Sequence, residues 1–90
     1  MLENSAAVRA MLDPVARPVL SDYLVTHIRA SIDAGRFRAG DRLPTIGEMA
    51  RAFAVGRGAV REALTKLQMM RIVEVRHGRG AFVLDARGSP

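Results

Sequence analysis

Residues 43–64, LPTIGEMARAFAVGRGAVREAL, decide the fold of this 90-residue chain. Thr45 followed three positions later by Glu48 fits a capping box, in which the Thr hydroxyl accepts from the Glu48 N–H and the carboxylate reaches back to the Thr45 backbone. Pro44 prevents a helix from extending backwards past this cap. The stretch therefore predicts a helix that begins immediately after Thr45.

Two helices joined by a tight turn are predicted within this stretch. The first covers 46–53 and the second runs from Arg57 to near residue 69, so their spacing is that of a helix-turn-helix. The second helix has an apolar inward face, made of Val60, Ala63, Leu64 and Leu67. Its outward face holds Arg57, Gly58, Arg61, Thr65 and Gln68. Arg57 and Arg61 lie one turn apart there, which suits guanidinium groups that meet base edges in a DNA major groove.

A basic, glycine-rich segment follows the second helix. After Arg71, apolar residues alternate on both sides of residues 77–80, HGRG, which predicts a β-hairpin with this segment at its tip. Arg76 and Arg79 flank the tip, and its glycines permit backbone angles that other residues resist. The hairpin is the expected wing.

One more helix is predicted before residue 43. Its apolar stripe recurs every four residues and consists of Leu20, Leu24, Ile28 and Ile32. Gly35 is a natural stop for this helix. The loop at 36–42 contains a turn-forming AGD triplet, and Leu43 adds one or two residues of strand. Four arginines balanced by neighbouring acids are expected on solvated surface: Arg29, Arg36, Arg38 and Arg42.

Two prolines divide the N-terminal region. Because Pro14 and Pro18 interrupt helical hydrogen bonding, any early helix over 5–12 is expected to end near Asp13. This reasoning assigns the first 17 residues to an N-terminal arm or a short helix.

The predicted fold class is mainly α with a small β-hairpin, that is, a winged helix-turn-helix with a three-helix core and a wing. The folded domain is expected at 18–84, and 85–90 is expected to be a polar linker or tail. The core is expected to include Met49, Phe53 and the pair Met69 and Met70.

Net charge favours a polyanionic partner. The formal charge is +5; residues 51–90 carry eight Arg and Lys against three Asp and Glu, whereas residues 1–50 carry six of each. The whole excess therefore lies in the half that holds the second helix and the wing. Such a field attracts nucleic acid, although a membrane surface or an acidic protein would also be attracted.

Composition disfavours several function classes. A single small domain leaves little room for a deep catalytic cleft, and the sequence shows no Ser–His–acid arrangement, P-loop or paired carboxylates, so an enzyme is not expected. The chain has no Cys and only two separated His, so neither a metal site nor a cofactor is expected. Apolar runs are too short to span a membrane and no signal peptide is recognisable, so we expect a cytoplasmic protein without membrane contact.

The ordered series of motifs resembles the N-terminal winged helix-turn-helix domain of the GntR family of bacterial transcription regulators, and its FadR-like branch in particular. The resemblance covers about residues 19–84. It rests on the motifs IDAG at 32–35, GDRLP at 40–44, EMA at 48–50, VGR at 55–57, VREAL at 60–64 and GRGAFV at 78–83.

The resemblance implies a sequence-specific transcriptional repressor or activator, with a repressor as the expected form. It would bind a palindromic double-stranded DNA operator as a homodimer, at the nucleoid in the bacterial cytoplasm. The helix near 57–69 would enter the major groove, and the wing tip near 76–80 would meet the adjacent minor groove. GntR regulators usually continue into a C-terminal domain that binds a small-molecule effector and supplies most dimer contacts. These 90 residues are therefore expected to be a fragment or a stand-alone DNA-binding module.

The expected DNA contacts combine residue chemistry with this resemblance. Arg57 and Arg61 occupy positions that contact bases or phosphates in the family, His77 and Gly78 match its wing-tip pair, and Thr45 with its helix N-terminus is suited to a phosphate. The full set is Thr45, Arg51, Arg57, Gly58, Ala59, Arg61, Thr65, Arg76, His77, Gly78 and Arg79.

Several positions depart from the family pattern. Ile46 and Gly47 stand where an acidic residue followed by a DNA-contacting Arg is usual, and we predict that Arg51, one turn further along, takes over part of the phosphate binding. Gly56 replaces the usual Ser or Thr cap at little cost. Arg71 replaces a helix-ending Gly, so either a left-handed cap there costs about 1 kcal/mol or the turn takes another form.

Two questions stay open at this level. Gly58 and Ala59 replace larger polar residues, which removes side-chain readout but lets the backbone approach DNA closely. Glu62 either orients Arg61 or simply faces water.

The alternative function is a winged helix used for protein–protein interaction or for RNA. A protein-binding wing is expected to expose aromatic residues, whereas this chain exposes arginines, which favour DNA.

Overall fold

The computed structural model describes the backbone of residues 5–84 and the side chains of residues 19–84. Within this range three helices precede one hairpin: α1 (Ser5–Asp33), α2 (Ile46–Phe53), α3 (Arg57–Met69), β1 (Val73–Arg76) and β2 (Gly80–Val83). The predicted fold class, mainly α with a small β-hairpin, is confirmed. The predicted linker at 85–90 lies outside the described residues.

Helix α1 is longer than predicted. It runs without interruption from Ser5 to Asp33, so the expected end near Asp13 is wrong. Pro14 and Pro18 each lack the N–H that would bond to the carbonyl four residues earlier, but the alanines around them are the strongest helix formers and favour continuation. Two missing hydrogen bonds do not end the helix.

The buried face of α1 is rotated from the predicted stripe. Leu24 and Ile28 are buried as expected, and Ile32 is partly buried, but Leu20 is 36% exposed and Ser21 is fully buried. A spacing of four residues drifts by about 40° per step on a helix with 3.6 residues per turn. The face centred on Leu24 therefore continues to Ser21 three positions earlier, and Leu20 turns towards solvent.

Helix α3 supplies the centre of the core. Its predicted inward residues are all buried: Val60, Ala63, Leu64 and Leu67. From α2, Met49 and Ala50 join this core, and Phe53 packs against it. Met69 and Met70 were expected in the core, yet they are 79% and 44% exposed. They follow the last inward position of α3, so the helix ends before either can turn inwards.

The wing is an antiparallel hairpin whose base is joined to the loop before α2. Val75 pairs with Ala81 and Arg76 with Gly80, which leaves residues 77–79 as the tip. Arg42 forms an isolated bridge with Phe82, which confirms the brief strand expected near Leu43. The Leu43 N–H donates to the carbonyl of Ala81 at 2.8 Å.

Both core helices end in a left-handed residue that is not glycine. Arg71 has φ 61°, its N–H donates to the Gln68 carbonyl, and the Ile72 N–H donates to the Leu67 carbonyl, a Schellman arrangement. Ala54, at φ 57°, ends α2 in the same way. Of the two forms considered for Arg71, the left-handed one is therefore adopted. The equivalent turn at Ala54 carries no glycine or asparagine that would have signalled it.

Candidate nucleic-acid interface

The N-terminal turn of α2, the outer face of α3 and the wing enclose one open groove of about 930 Å³, called here the basic groove. Its lining residues are Arg42, Thr45, Ile46, Gly47, Arg51, Arg57, Arg61, Leu64, Thr65, Val75, Arg76, His77, Gly78, Arg79 and Gly80. Six of these are arginines, and none of the residues that line it is Asp or Glu. The groove is therefore a concentrated positive surface.

The capping box holds α2 at the edge of this groove. The Thr45 hydroxyl accepts from the Glu48 N–H at 3.0 Å, and the Glu48 carboxylate accepts from the Thr45 N–H at 2.8 Å. These bonds from Thr45 lower the pKa of Glu48, with a smaller contribution from nearby arginines. The predicted cap is confirmed, and the Thr45 hydroxyl still has its own proton to donate to an anion.

Arg57 and Arg61 are both exposed on the outer face of α3. Among residues 19–84 neither side chain makes an ion pair or a hydrogen bond with another side chain. The next turn adds Thr65, whose hydroxyl donates to the Arg61 carbonyl at 3.0 Å. Two unpaired guanidinium groups one turn apart give α3 the polar face that the sequence predicted.

Gln68 differs from the rest of that outward face. Its side-chain carbonyl accepts from the Val75 N–H at 2.6 Å, so it joins α3 to β1. The N–H of Val75 thereby obtains a partner from outside the hairpin. Gln68 thus positions the wing and lies outside the basic groove.

The wing presents arginines in two different states. Arg76 lies with its guanidinium carbon 4.6 Å from the centre of the Phe82 ring, and its Nε donates to Glu74 at 3.0 Å. Arg79 and His77 are exposed at the tip. Arg76 is therefore held by a ring and a carboxylate on the hairpin itself, whereas Arg79 has no ion pair within residues 19–84.

Glycines shape the wing at two positions. Gly78 has φ 75° at the tip, and Gly80 has φ 122° where β2 begins. Both values belong to a region that disfavours side chains. A Cβ on Gly80 would also lie 3.2 Å from Cδ of Arg42, so the stem of that arginine packs directly against the wing.

Arg42 is the charged groove residue that sequence reasoning missed. It was assigned to balanced, solvated surface, but it lines the basic groove beside the wing tip. The usable signal was the short strand expected near Leu43, because pairing of that strand with the wing brings the preceding arginine to the hairpin. A local count of charges gave no sign of this.

Ala59 was predicted to contact DNA, but it is buried, and the neighbouring glycine is only partly accessible. Ala59 is 4% exposed and belongs to the core, because it lies one turn before Ala63 on the same inward face. Gly58 is half-buried and does not line the groove. The other predicted contact residues all line it.

Glu62 plays a part that neither earlier alternative described. Its carboxylate accepts from the buried hydroxyl of Ser21 at 3.2 Å and lies 3.6 Å from the Lys66 ammonium. Lys66 also donates to Ser21 at 2.8 Å and to Asp22 at 2.7 Å, and the bond to Asp22 is the main reason that the Lys66 pKa is raised. This polar cluster joins α3 to α1, and none of its residues lines the basic groove.

Metal centres and membrane-spanning helices are two further features to consider in the described residues. Within them no group of three or more His, Asp or Glu side chains is placed to hold a metal ion. None of the helices described is long and apolar enough to cross a bilayer.

Comparisons with known proteins agree with this geometry. The family model for bacterial regulatory proteins of the gntR family matches residues 20–83. The Uxu operon transcriptional regulator of Escherichia coli is 45% identical over 62 residues, which cover 69% of this chain and 24% of that protein. The transcriptional repressor NanR of Citrobacter rodentium is 37% identical over 84 residues, which cover 90% of this chain and 32% of that protein. The chain thus spans roughly a quarter to a third of these relatives.

A solved structure shows the same fold with DNA. The DNA-binding domain of AraR in complex with an operator superimposes with a TM-score of 0.70 and 25% identity, over 71% of this chain and 77% of that chain. The likeness covers the three-helix core and the wing as an architecture.

Proposed function

The chain belongs to the GntR family of bacterial regulatory proteins, and from this premise we propose that its winged helix-turn-helix binds a palindromic DNA operator as a homodimer to regulate transcription. The observation that carries the proposal is the basic groove, where six arginines converge with no acidic residue in its lining. A positive concave surface of this kind follows a DNA backbone and raises its local concentration.

Helix α3 is the reading element in this proposal. A B-DNA major groove, about 12 Å wide, admits one helix, and an arginine that bonds bidentately to guanine O6 and N7 discriminates by about 1–3 kcal/mol. Arg57 and Arg61 have the exposure and the spacing that such contacts need. Thr65, on the following turn, is the third side chain on this face.

Phosphate contacts are assigned to the rim of the groove. Arg51 and Thr45 on α2 would hold one strand, and Arg79 at the wing tip would hold the backbone across the minor groove, where His77 and Gly78 make the closest approach. Arg42 joins this set because it lines the same groove. Arg76, already held by Glu74, contributes charge more than direct contact.

The regulatory setting is proposed by analogy with the relatives. NanR is named a repressor, and repression is the mode proposed for this chain. A small-molecule effector would act through a C-terminal domain beyond these residues. We place the protein in the bacterial cytoplasm, at the nucleoid, and assign it no enzymatic activity.

The test is binding to the palindromic site nearest the protein's own gene. Fluorescence anisotropy at one fixed salt concentration would compare this duplex, a scrambled duplex of equal composition and an RNA duplex of equal length. We expect tightest binding to the palindrome and weakest binding to RNA, whose deep, narrow major groove excludes a helix. Equal affinity for palindrome and scrambled duplex contradicts a sequence-specific regulator, and preference for RNA supports the alternative.

A further inference from the structure

Gly47 contacts the side chain of Arg57 in a way that the family comparison does not explain. A Cβ built on Gly47 would lie 3.3 Å from Nη2, 3.7 Å from Cζ and 4.0 Å from Nε of Arg57. Three atoms of one guanidinium group therefore lie across the bare α-carbon of Gly47. Arg57 rests against the first turn of α2 and does not extend straight out from α3.

The backbone alone does not require glycine at this position. Gly35, Gly40, Gly78 and Gly80 all have positive φ, whereas Gly47 lies in the first turn of α2 without one. Glycine weakens a helix relative to alanine, and α2 has only eight residues. The Arg57 guanidinium occupies the space beside Gly47, where a Cβ would lie 3.3 Å from its Nη2.

The position of this guanidinium decides what it meets in DNA. Bidentate recognition of a guanine edge needs both N–H groups aligned in one plane with O6 and N7. A Cβ at position 47 would require the Arg57 guanidinium to give by a few tenths of an ångström, and a longer side chain would move it further from the turn of α2. The alignment of its N–H groups with one base edge would then change.

We propose that Gly47 is a specificity-determining residue, which acts by positioning the Arg57 guanidinium against α2 so that this arginine reads one particular base pair in each operator half-site. The inference rests on the DNA-binding function proposed above and adds to it the residue that sets the direction of the reading arginine. Gly47 contacts Arg57 and is a positioning residue; Arg57 makes the contact with the base.

The experiment selects preferred sequences from a randomised duplex library with the whole chain and with two graded variants, Gly47→Ala and Gly47→Leu. We expect the preference to change at one symmetry-related base pair and the affinity for the wild-type site to fall, by about threefold for Ala and about tenfold or more for Leu. Gly56→Ala is the matched control, because a Cβ there has no neighbour within 4 Å. It should leave the preferred sequence unchanged.

A double-mutant cycle separates positioning from a general effect on α2. In an Arg57→Ala background, Gly47→Leu should produce no further change in sequence preference, because the side chain through which it acts is gone. Thermal unfolding of each variant shows whether it is folded. Gly47→Ala serves where Gly47→Leu fails to fold, since alanine is the stronger helix former.

Two results would overturn the inference while the proposed function stands. One is an unchanged preference and affinity for both Gly47 variants in a chain that still selects a palindrome. The other is a Gly47 effect of the same size with and without Arg57. If instead the wild-type chain selects no sequence at all, the proposed function fails and the inference fails with it.

Discussion

The arginines of α3 and Arg76, which precedes the wing tip on β1, carry the same side chain in two different states. Arg57 and Arg61 have no ion pair among residues 19–84, whereas Arg76 is held between Glu74 and the Phe82 ring. A free arginine loses rotamer entropy when it binds but can offer its full fork of donors to a base. A held arginine loses less entropy but shares its charge with a carboxylate. The difference suggests that α3 reads sequence while the wing supplies attraction.

Removal of Arg61 should have the largest effect on sequence reading. Arg61→Ala should weaken binding to the operator by about 5- to 150-fold, the equivalent of a lost bidentate contact, and should weaken binding to scrambled DNA much less. Anisotropy titrations of both duplexes at one salt concentration give the ratio. Arg36→Ala is the matched control, since Arg36 is exposed and does not line the groove. If Arg61→Ala leaves the ratio of operator to scrambled affinity unchanged, the proposed division of roles between α3 and the wing is wrong.

The wing tip should respond differently. Arg79→Ala should weaken binding to operator and scrambled DNA by a similar factor, because a phosphate contact carries no base information. The slope of log K against log salt should become shallower by about 0.9, the value for one lost phosphate contact. Salt titrations with both duplexes measure this. A loss confined to the operator would show that the wing also reads bases.

The ion pair of Arg76 can be removed without substituting the arginine itself. Glu74→Gln removes the carboxylate that pairs with it, so binding to both duplexes should tighten by a few-fold and the salt slope should steepen by up to about 0.9. The same substitution in an Arg76→Ala background is the control. A gain that persists there comes from net charge alone and not from release of Arg76.

The left-handed turn at Arg71, between α3 and the wing, can be tested separately. Arg71→Gly should stabilise the fold by about 1 kcal/mol, because glycine accepts the left-handed conformation at this Schellman position without a Cβ penalty. The melting temperature should rise by several degrees while the ratio of operator to scrambled binding stays the same. Arg71→Ala removes the same charge but keeps the Cβ, so it should not stabilise. Equal melting temperatures for the Gly and Ala variants would contradict the assigned strain.

The smallest effect is expected from a change of pH, which acts on the polar cluster around Lys66 that joins α3 to α1. Hydrogen bonding to Asp22 raises the Lys66 pKa above its usual 10.5, so this contribution to stability is complete below pH 10.5 and is lost as the pH rises through the folded-state value. Urea unfolding of wild type and Lys66→Met should therefore differ at neutral pH and converge in alkali. A constant difference at all pH values would show that the ammonium charge is not what holds α1 to α3.

Local sequence patterns were sufficient to predict much of the fold and most residues of the basic groove. The capping box at Thr45, the inward face of α3 and the glycine-rich hairpin each depend on residues close in sequence, and all three predictions are confirmed. Arg57 and Arg61 were identified as exposed for the same reason. Their assigned roles on DNA stay predictions.

Two of the missed features depend on contacts between distant segments. Glu62 pairs with Ser21 from 41 residues away, so no local pattern shows that it supports α1. Arg42 reaches the groove only because its segment pairs with the wing. Alanine occurs at both exposed and buried positions of helices, and in this fold Ala59 packs in the core. Helix α1 continues through its prolines because strong helix formers surround them, which a rule based on proline alone does not capture.

The loop that carries Arg42 also braces the wing. Val83 exchanges hydrogen bonds of 2.8 Å with this loop, accepting from Gly40 and donating to Asp41, only a few residues before α2 begins. The hairpin and the helix-turn-helix therefore present DNA with a template of nearly fixed width. When duplex and template do not match, the duplex has to deform, and its stiffness varies with sequence even at base pairs that no side chain touches. We therefore expect changes at untouched central steps of an operator to alter affinity through bending energy alone.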